Sequence, residues 1–336
     1  MPTTRSPDSR EVIDTIQKHL IGDGFPIVFD LDRSHGAWIH DAVRGKDVLD
    51  FYTFFASLPL GFQHASLTAP ESLDRLAAAA VHKPANSDAH TSELARFTET
   101  FAAKALPQEF SSLFFIEGGA LAVENALKAA FDWKVRKNLE AGRGELGTRI
   151  LHFREAFHGR SGYTMSLTNT APIKTQYFPK FDWPRVSNPK LTFPRDAAEE
   201  ARVARAESET VREIEAAFAD HRHDIAGIVI EPIQGEGGDN HFRPEFFVEL
   251  RRLADEHEAL LIFDEVQTGF GITGTMWAFE HFVTPDVISF GKKAQVCGVA
   301  AGPRLHEVED NVFRLSSRIN STWGGGLVDM VRCTIT

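Results

Sequence analysis

The chain has 336 residues, enough for roughly two domains and a sizeable buried core. Hydrophobic residues make up 43% and charged residues 25%, the balance of a folded globular protein, and 36 Lys and Arg against 47 Asp and Glu leave a formal net charge of −11. That sign excludes a nucleic-acid backbone or an anionic membrane as the main partner and favours a small molecule.

The opening stretch MPTTRSPDSREVIDTIQKHL lacks the apolar core of a signal peptide, and no later run approaches the ~18 consecutive apolar residues of a membrane span. The cytoplasm is the expected location. PIVFDLDRSHGAWIHDAVRGKDVLDFY reads as three short strands separated by the turn-like DRSHG and AVRGK, a small antiparallel meander. TSELARFTETFAAKAL then sets Leu94, Phe97 and Phe101 on one helical face, SLFFIE reads as a strand and LAVENALKAAFDWKVRKNL as a helix. RILHF, IAGIVIEP, ALLIFDE and PDVISFG follow as short apolar runs, with AEEARVARAESETVREIEAAFADH and PEFFVELRRLADEHE between several of them. The alternation predicts a doubly wound α/β protein with a mostly parallel sheet flanked by helices. Cys297 and Cys333 are too few for a disulfide framework, lack metal-ligand spacing and read as packing residues.

In such sheets ligands bind beyond the carboxyl ends of the strands. ALLIFDE carries Asp264 to that edge, while FFIEGGA ends at Glu117 and Gly118, IVIEP at Glu231 and VISFGKK at Lys292. One strand-end carboxylate is ordinary, because strands emerge into water there; four polar endings together mark a site. In EGGALAVENALKAA the Gly-Gly-Ala turn leaves backbone N–H groups unblocked at the positive end of a helix dipole, a seat for a phosphate. The turn matches neither a Walker A loop nor G-x-G-x-x-G, so nucleotides are not the leading ligands. A phosphate seat, a strand-end Asp and a Gly-flanked Lys suit pyridoxal 5′-phosphate, whose aldehyde condenses with a lysine and whose ring nitrogen needs an acidic partner.

FFIEGGALAVENALKAAFDWK, AFHGRSGYTMSLTNT, FPKFDWPR, EPIQGEGGDNHFRPEFF, LLIFDEVQTGF, FGKKAQVCGV and NSTWGGG together resemble the class III, fold-type I aminotransferases, over nearly the whole chain from the meander onward. GGALAVENALK and FDWPR are more particular to the members that act on lysine. The resemblance implies that Lys292 is the Schiff-base lysine, although spacing alone does not choose between Lys292 and Lys293. It implies that Asp264 pairs with the pyridine nitrogen and Gln267 with the phenolic oxygen, that Gly119 and Ala120 bind the phosphate through their backbone, and that Glu231 and Phe157 complete the cofactor site, Phe157 by stacking on the ring. Composition lends Phe157 no special status, since the chain holds 27 Phe and a lone one is usually core. Arg160 matches the residue that grips the substrate α-carboxylate, where a planar fork suits bidentate pairing. Glu236 matches a carboxylate that covers a cationic arginine while the amino donor is bound. Thr322 matches a hydroxyl that reaches the phosphate of a partner subunit, so a homodimer with shared active sites is expected.

The implied reaction is ping-pong transfer of the lysine ε-amino group to 2-oxoglutarate, giving 2-amino-6-oxohexanoate and glutamate. Ornithine or 4-aminobutyrate transamination by another class III enzyme is the runner-up, and a cofactor-binding or dimerising chain without turnover is the reading from a different class. The resemblance divides the chain into residues 1–59, the N-terminal segment of a small domain, and 60–336, a large cofactor-binding domain. Where this chain reaches LVDMVRCTIT the family continues into a C-terminal small domain of roughly a hundred residues that carries the arginine Glu236 covers, so that domain and its arginine are expected to be absent here.

Overall fold

The computed structural model describes residues 8–336, in two compact units: residues 8–78 with 335 and 336, and residues 79–334. In the first unit β1 (Trp38–Asp41) and β2 (Lys46–Leu49) pair antiparallel, with Trp38 opposite Leu49 and Asp41 opposite Lys46. The Asp41 carboxylate accepts from the Val43 N–H at 3.1 Å and from the Arg44 guanidinium at 2.8 Å, which closes the turn at its first corner. The third strand expected of the meander is reduced to one bridge, Phe29 to Asp41. Pro26 has no N–H for a ladder on one side. On the other, Asp30 Oδ1 accepts from the N–H groups of Asp32 and Arg33 at 2.9 and 3.0 Å, curling the chain before pairing extends.

The second unit holds a seven-stranded sheet of β3 (Ser112–Ile116), β4 (Arg149–Phe153), β5 (Arg185–Val186), β6 (Ile225–Ile230), β7 (Leu260–Asp264), β8 (Val287–Phe290) and β9 (Cys297–Ala301). Their order is β3-β9-β8-β7-β6-β4-β5. β4 to β8 are joined by parallel ladders, and β9 runs against both of its neighbours, β3 and β8. β6, β7 and β8 are buried from end to end, which is why their sequences are near-continuous apolar runs rather than alternating ones.

β9 is the departure from the expected parallel pattern. CGVAA has neither alternation nor large side chains; it becomes a strand because the chain reverses between Gly291 and Val296. Lys292 and Gln295 there adopt φ of 50° and 61°, and the Gln295 N–H donates to the Lys292 carbonyl at 2.8 Å.

Two helices fix the faces of the sheet. In α1 (Gly119–Glu140) the small residues Ala122, Ala126, Ala129 and Ala130 are buried, allowing close approach. Leu260 and Ile262 of β7 pack with Val123, Leu127 and Trp133 of α1, whereas Phe263 meets Phe247 of α2 (Pro244–Glu256) with ring centroids 5.3 Å apart. Successive strand residues point to opposite faces, so α1 and α2 cover opposite sides of β7. The carboxyl ends of β4, β6, β7 and β8 therefore line one edge between covered faces. No helix among the described residues is long and apolar enough to cross a membrane.

Candidate active site

Asp264 ends β7 and is buried. Its Oδ2 lies 2.8 Å from His158 Nδ1, while its Oδ1 accepts from the Ser289 hydroxyl and the Val266 N–H, each at 3.1 Å. Ser289 stands directly opposite Asp264 in the β7–β8 register, so the ladder itself delivers that donor. Burial pushes the His158 pKa down, but its hydrogen bond to Asp264 and the charges of Asp264 and Glu231 outweigh this and raise it.

Glu231 follows β6 directly and accepts the Phe157 N–H at 2.8 Å. Its burial pushes the carboxyl up to about 7, against the opposing pull of His158. The loop after β4 that carries Phe157 and His158 is held at several points. Asn169 Oδ1 accepts from the Glu155 N–H at 2.7 Å, Thr168 Oγ1 from the His158 N–H at 2.9 Å, and Glu124 from the Ser161 hydroxyl at 2.6 Å. Gly159 adopts φ 121°, and a Cβ there would lie 2.4 Å from Ala120 Cβ, so only glycine lets the loop cross the start of α1.

That crossing brings the loop to the expected phosphate seat. α1 starts after Gly118 with no side-chain cap and no acidic residue in its first turn. The N–H groups of Gly119 and Ala120 thus remain available to an anion at the positive end of the helix.

Lys292 lies in the reversal between β8 and β9 and turns its amine to the side-chain oxygen of Gln267. Burial lowers its pKa, with Asp264 and Glu231 acting in the opposite sense. Lys293 is buried and donates instead to the Gln267 backbone carbonyl at 2.6 Å; burial, then the charge of Lys292, brings its pKa down to about 8. The two lysines are thus distinguished by direction, one reaching the side chain of Gln267 and the other its backbone. Glu265 differs from Asp264 in the same way. Its carboxylate accepts from the Thr268 hydroxyl at 2.5 Å and from the N–H groups of Phe279 and Ala278 at 2.8 and 3.1 Å, stapling the following loop.

The sequence model of the family described as aminotransferase class-III matches residues 22–336. The chain belongs to the class III aminotransferases. This aminotransferase is 54% identical over 334 residues to the L-lysine-epsilon aminotransferase of Mycobacterium bovis, a match that covers 98% of the chain and 73% of the relative. It is 50% identical over 339 residues to the L-lysine-epsilon aminotransferase of Amycolatopsis lactamdurans, covering 99% of the chain and 75% of that relative. Among solved structures, lysine aminotransferase from M. tuberculosis matches with a TM-score of 0.95 at 53% identity, over 98% of this chain and 76% of that one.

The remaining expected residues, Arg160, Glu236 and Thr322, lie outside these contacts. Arg160 is exposed on the loop that carries His158. Glu236 forms an ion pair with Lys174, whose Nζ lies 5.4 Å from the centre of the Phe157 ring. Thr322 is exposed in a segment tied to the Ser87 hydroxyl through the Ser321 carbonyl at 3.0 Å, and takes no part in the His158–Asp264 or Lys292–Gln267 contacts. Sequence reasoning assigned no role to His158, Ser289, Glu124 or Lys174. The His158–Asp264 contact spans 106 residues, and nothing local in AFHGR announces it.

Proposed function

We propose that this aminotransferase moves the ε-amino group of L-lysine to 2-oxoglutarate, leaving 2-amino-6-oxohexanoate and glutamate. The lysine Cε is oxidised to an aldehyde and the keto acid is reduced to an amino acid, so the exchange balances without another reactant. The observation that carries this reading is the His158–Asp264 contact at the carboxyl edge of the sheet, with Lys292 held on Gln267 within the field of Asp264, in a chain so similar to enzymes named for lysine-epsilon transfer.

Class III aminotransferases as a family depend on pyridoxal phosphate, and the residues fit that group: an uncapped helix start free of acidic residues for its phosphate, and a buried carboxylate for its ring nitrogen. When bound, it supplies an electron sink for ionising a C–H bond beside the reacting nitrogen. Asp264 would hold the ring nitrogen, Gln267 the phenolic oxygen, and the N–H groups of Gly119 and Ala120 the phosphate. Phe157 would pack on the ring, positioned by the bond from its N–H to Glu231.

His158 keeps Asp264 oriented by donating through Nδ1, a tautomer assigned from the carboxylate partner. Lys292, whose pKa burial lowers, would take the proton from lysine Cε and deliver one to the keto-acid carbon. Arg160 is assigned the α-carboxylate of lysine, and the span from Arg160 to Lys292 then measures donor length. Thr322, exposed on its own chain, is assigned to the phosphate seat of a second copy, making the working enzyme a homodimer.

Steady-state kinetics with 2-oxoglutarate and alternative donors test the assignment. Ornithine is one methylene shorter than lysine, and kcat/KM is expected to fall about 10- to 200-fold. Cadaverine, which is lysine without its carboxylate, should be poorer still. Faster turnover of ornithine or 4-aminobutyrate than of lysine overturns the substrate.

A further inference from the structure

Arg160, assigned to the α-carboxylate of lysine, lies between two residues that α1 holds. Gly159 packs against Ala120 in the first turn of that helix. Ser161 donates its hydroxyl to Glu124 Oε1 at 2.6 Å, and the Tyr163 N–H donates to the same oxygen at 3.1 Å. Ala120 and Glu124 are four residues apart, so they share one face of α1 with a rise of about 6 Å between them. The chain through Arg160 is thus laid along one turn of the helix that begins at the phosphate seat. Glu124 is the acidic residue of GGALAVENALK.

The part of the loop before Arg160 is fixed without Glu124. The Phe157 N–H donates to Glu231, the His158 N–H to Thr168 Oγ1, and the Thr168 hydroxyl to the Gly159 carbonyl at 2.6 Å. After Arg160, Ser161 caps the short helix Gly162–Leu167, its N–H donating to Thr164 Oγ1 at 3.1 Å, so Ser161 and Tyr163 move with that helix. Glu124 ties the start of the short helix to α1 through a carboxylate, and bonds to an ionised acceptor are the stronger kind. Cutting this tie frees the chain from Arg160 onward and leaves Phe157 and His158 in place.

We propose that Glu124 is a positioning residue that determines donor specificity: by holding Ser161 and Tyr163 on α1 it sets the distance between Arg160 and the phosphate seat, and with it the length of amino donor the site accepts. The proposal rests on the aminotransferase reading above, in which Arg160 takes the donor carboxylate.

The test compares lysine, ornithine and cadaverine as donors to 2-oxoglutarate with the holoenzyme, and reads carboxylate binding separately by calorimetry with hexanoate, an unreactive monocarboxylate. Glu124→Leu should lower kcat/KM for lysine about ten-fold, chiefly through KM, the loss expected for one charge-assisted contact. It should also narrow the preference for lysine over ornithine, weaken hexanoate several-fold and leave cadaverine within about two-fold. Glu124→Gln keeps an acceptor oxygen and should recover most of the loss, and Ser161→Ala, which removes the donor instead, should shift the same ratios in the same direction. In Arg160→Met the lysine-to-cadaverine ratio should collapse, and adding Glu124→Leu should change it little further. An equal loss on lysine and cadaverine in Glu124→Leu, or an effect on their ratio that is undiminished in the Arg160→Met background, overturns the role of Glu124. An unchanged lysine-to-cadaverine ratio in Arg160→Met overturns the assignment of Arg160 on which that role rests. Absence of amino transfer from lysine in the unsubstituted enzyme, with the hexanoate losses in Glu124→Leu and Arg160→Met as expected, overturns the lysine reading and supports Glu124 as the tie that places Arg160.

Discussion

His158 and Asp264, 106 residues apart in the chain, meet through a 2.8 Å contact between Nδ1 and Oδ2 with both side chains buried. Asp264 also accepts from Ser289 and the Val266 N–H, so its direction is over-determined, but His158 is the partner that can itself carry charge. His158→Phe fills similar space without a donor. It should weaken cofactor retention about ten-fold or more, the cost of losing a hydrogen bond to a charged group, and lower kcat more than it changes KM for lysine. His158→Asn, which keeps an N–H donor, should recover part of the loss. Cofactor titration and initial rates check this, and normal values for both in His158→Phe would show the contact to be idle.

Lys292 and Lys293 give a sharper contrast, because one faces the Gln267 side chain and the other its carbonyl. Borohydride reduction of the loaded enzyme followed by peptide mapping should find the cofactor on Lys292. Lys293→Met should keep the attachment and Lys292→Ala should lose it. A reduced cofactor mapped to Lys293 reverses the assignment.

Much of this was legible in the sequence for a physical reason. Strands buried on both faces must be apolar throughout, so IAGIVI and LLIF stood out, and a carboxylate at the end of such a run, Asp264, was conspicuous. The antiparallel β9 was not, because CGVAA is small and unpatterned and owes its pairing to the reversal at Lys292 and Gln295. The N-terminal meander was over-read, since Val28 and Phe29 have strand-like side chains but lie between Pro26 and the turn that Asp30 closes. Asp264 and Glu265 are neighbours in the chain, and the fold sends one to His158 and the other to the N–H groups of Ala278 and Phe279. The Lys174–Glu236 pair joins residues with no periodic relation and left no trace in spacing.

Glu265 also predicts a pH dependence of stability. Its burial raises the carboxyl from 4.5 to about 7, so the folded chain holds a proton there that the unfolded chain has released. The stability from this group is fully present below about 4.5 and is lost as pH rises through about 7. Glu265→Gln removes the titration. From pH 5 to 8 the unsubstituted protein should lose stability relative to that variant, by at most about 3 kcal/mol. Urea unfolding across that range measures it, and parallel curves for the two proteins would contradict the shift.

On this assignment the nitrogen that moves is the one at the end of the lysine side chain. Lysine carrying a heavy nitrogen isotope only at the ε-position, incubated with the enzyme, pyridoxal phosphate and 2-oxoglutarate, decides this by mass spectrometry of the glutamate formed. The isotope should appear in glutamate from the first turnovers, leaving an unlabelled amino aldehyde. Unlabelled glutamate, with the isotope retained on the lysine-derived product, would mean that the α-amino group is transferred and that lysine lies in the site the other way round.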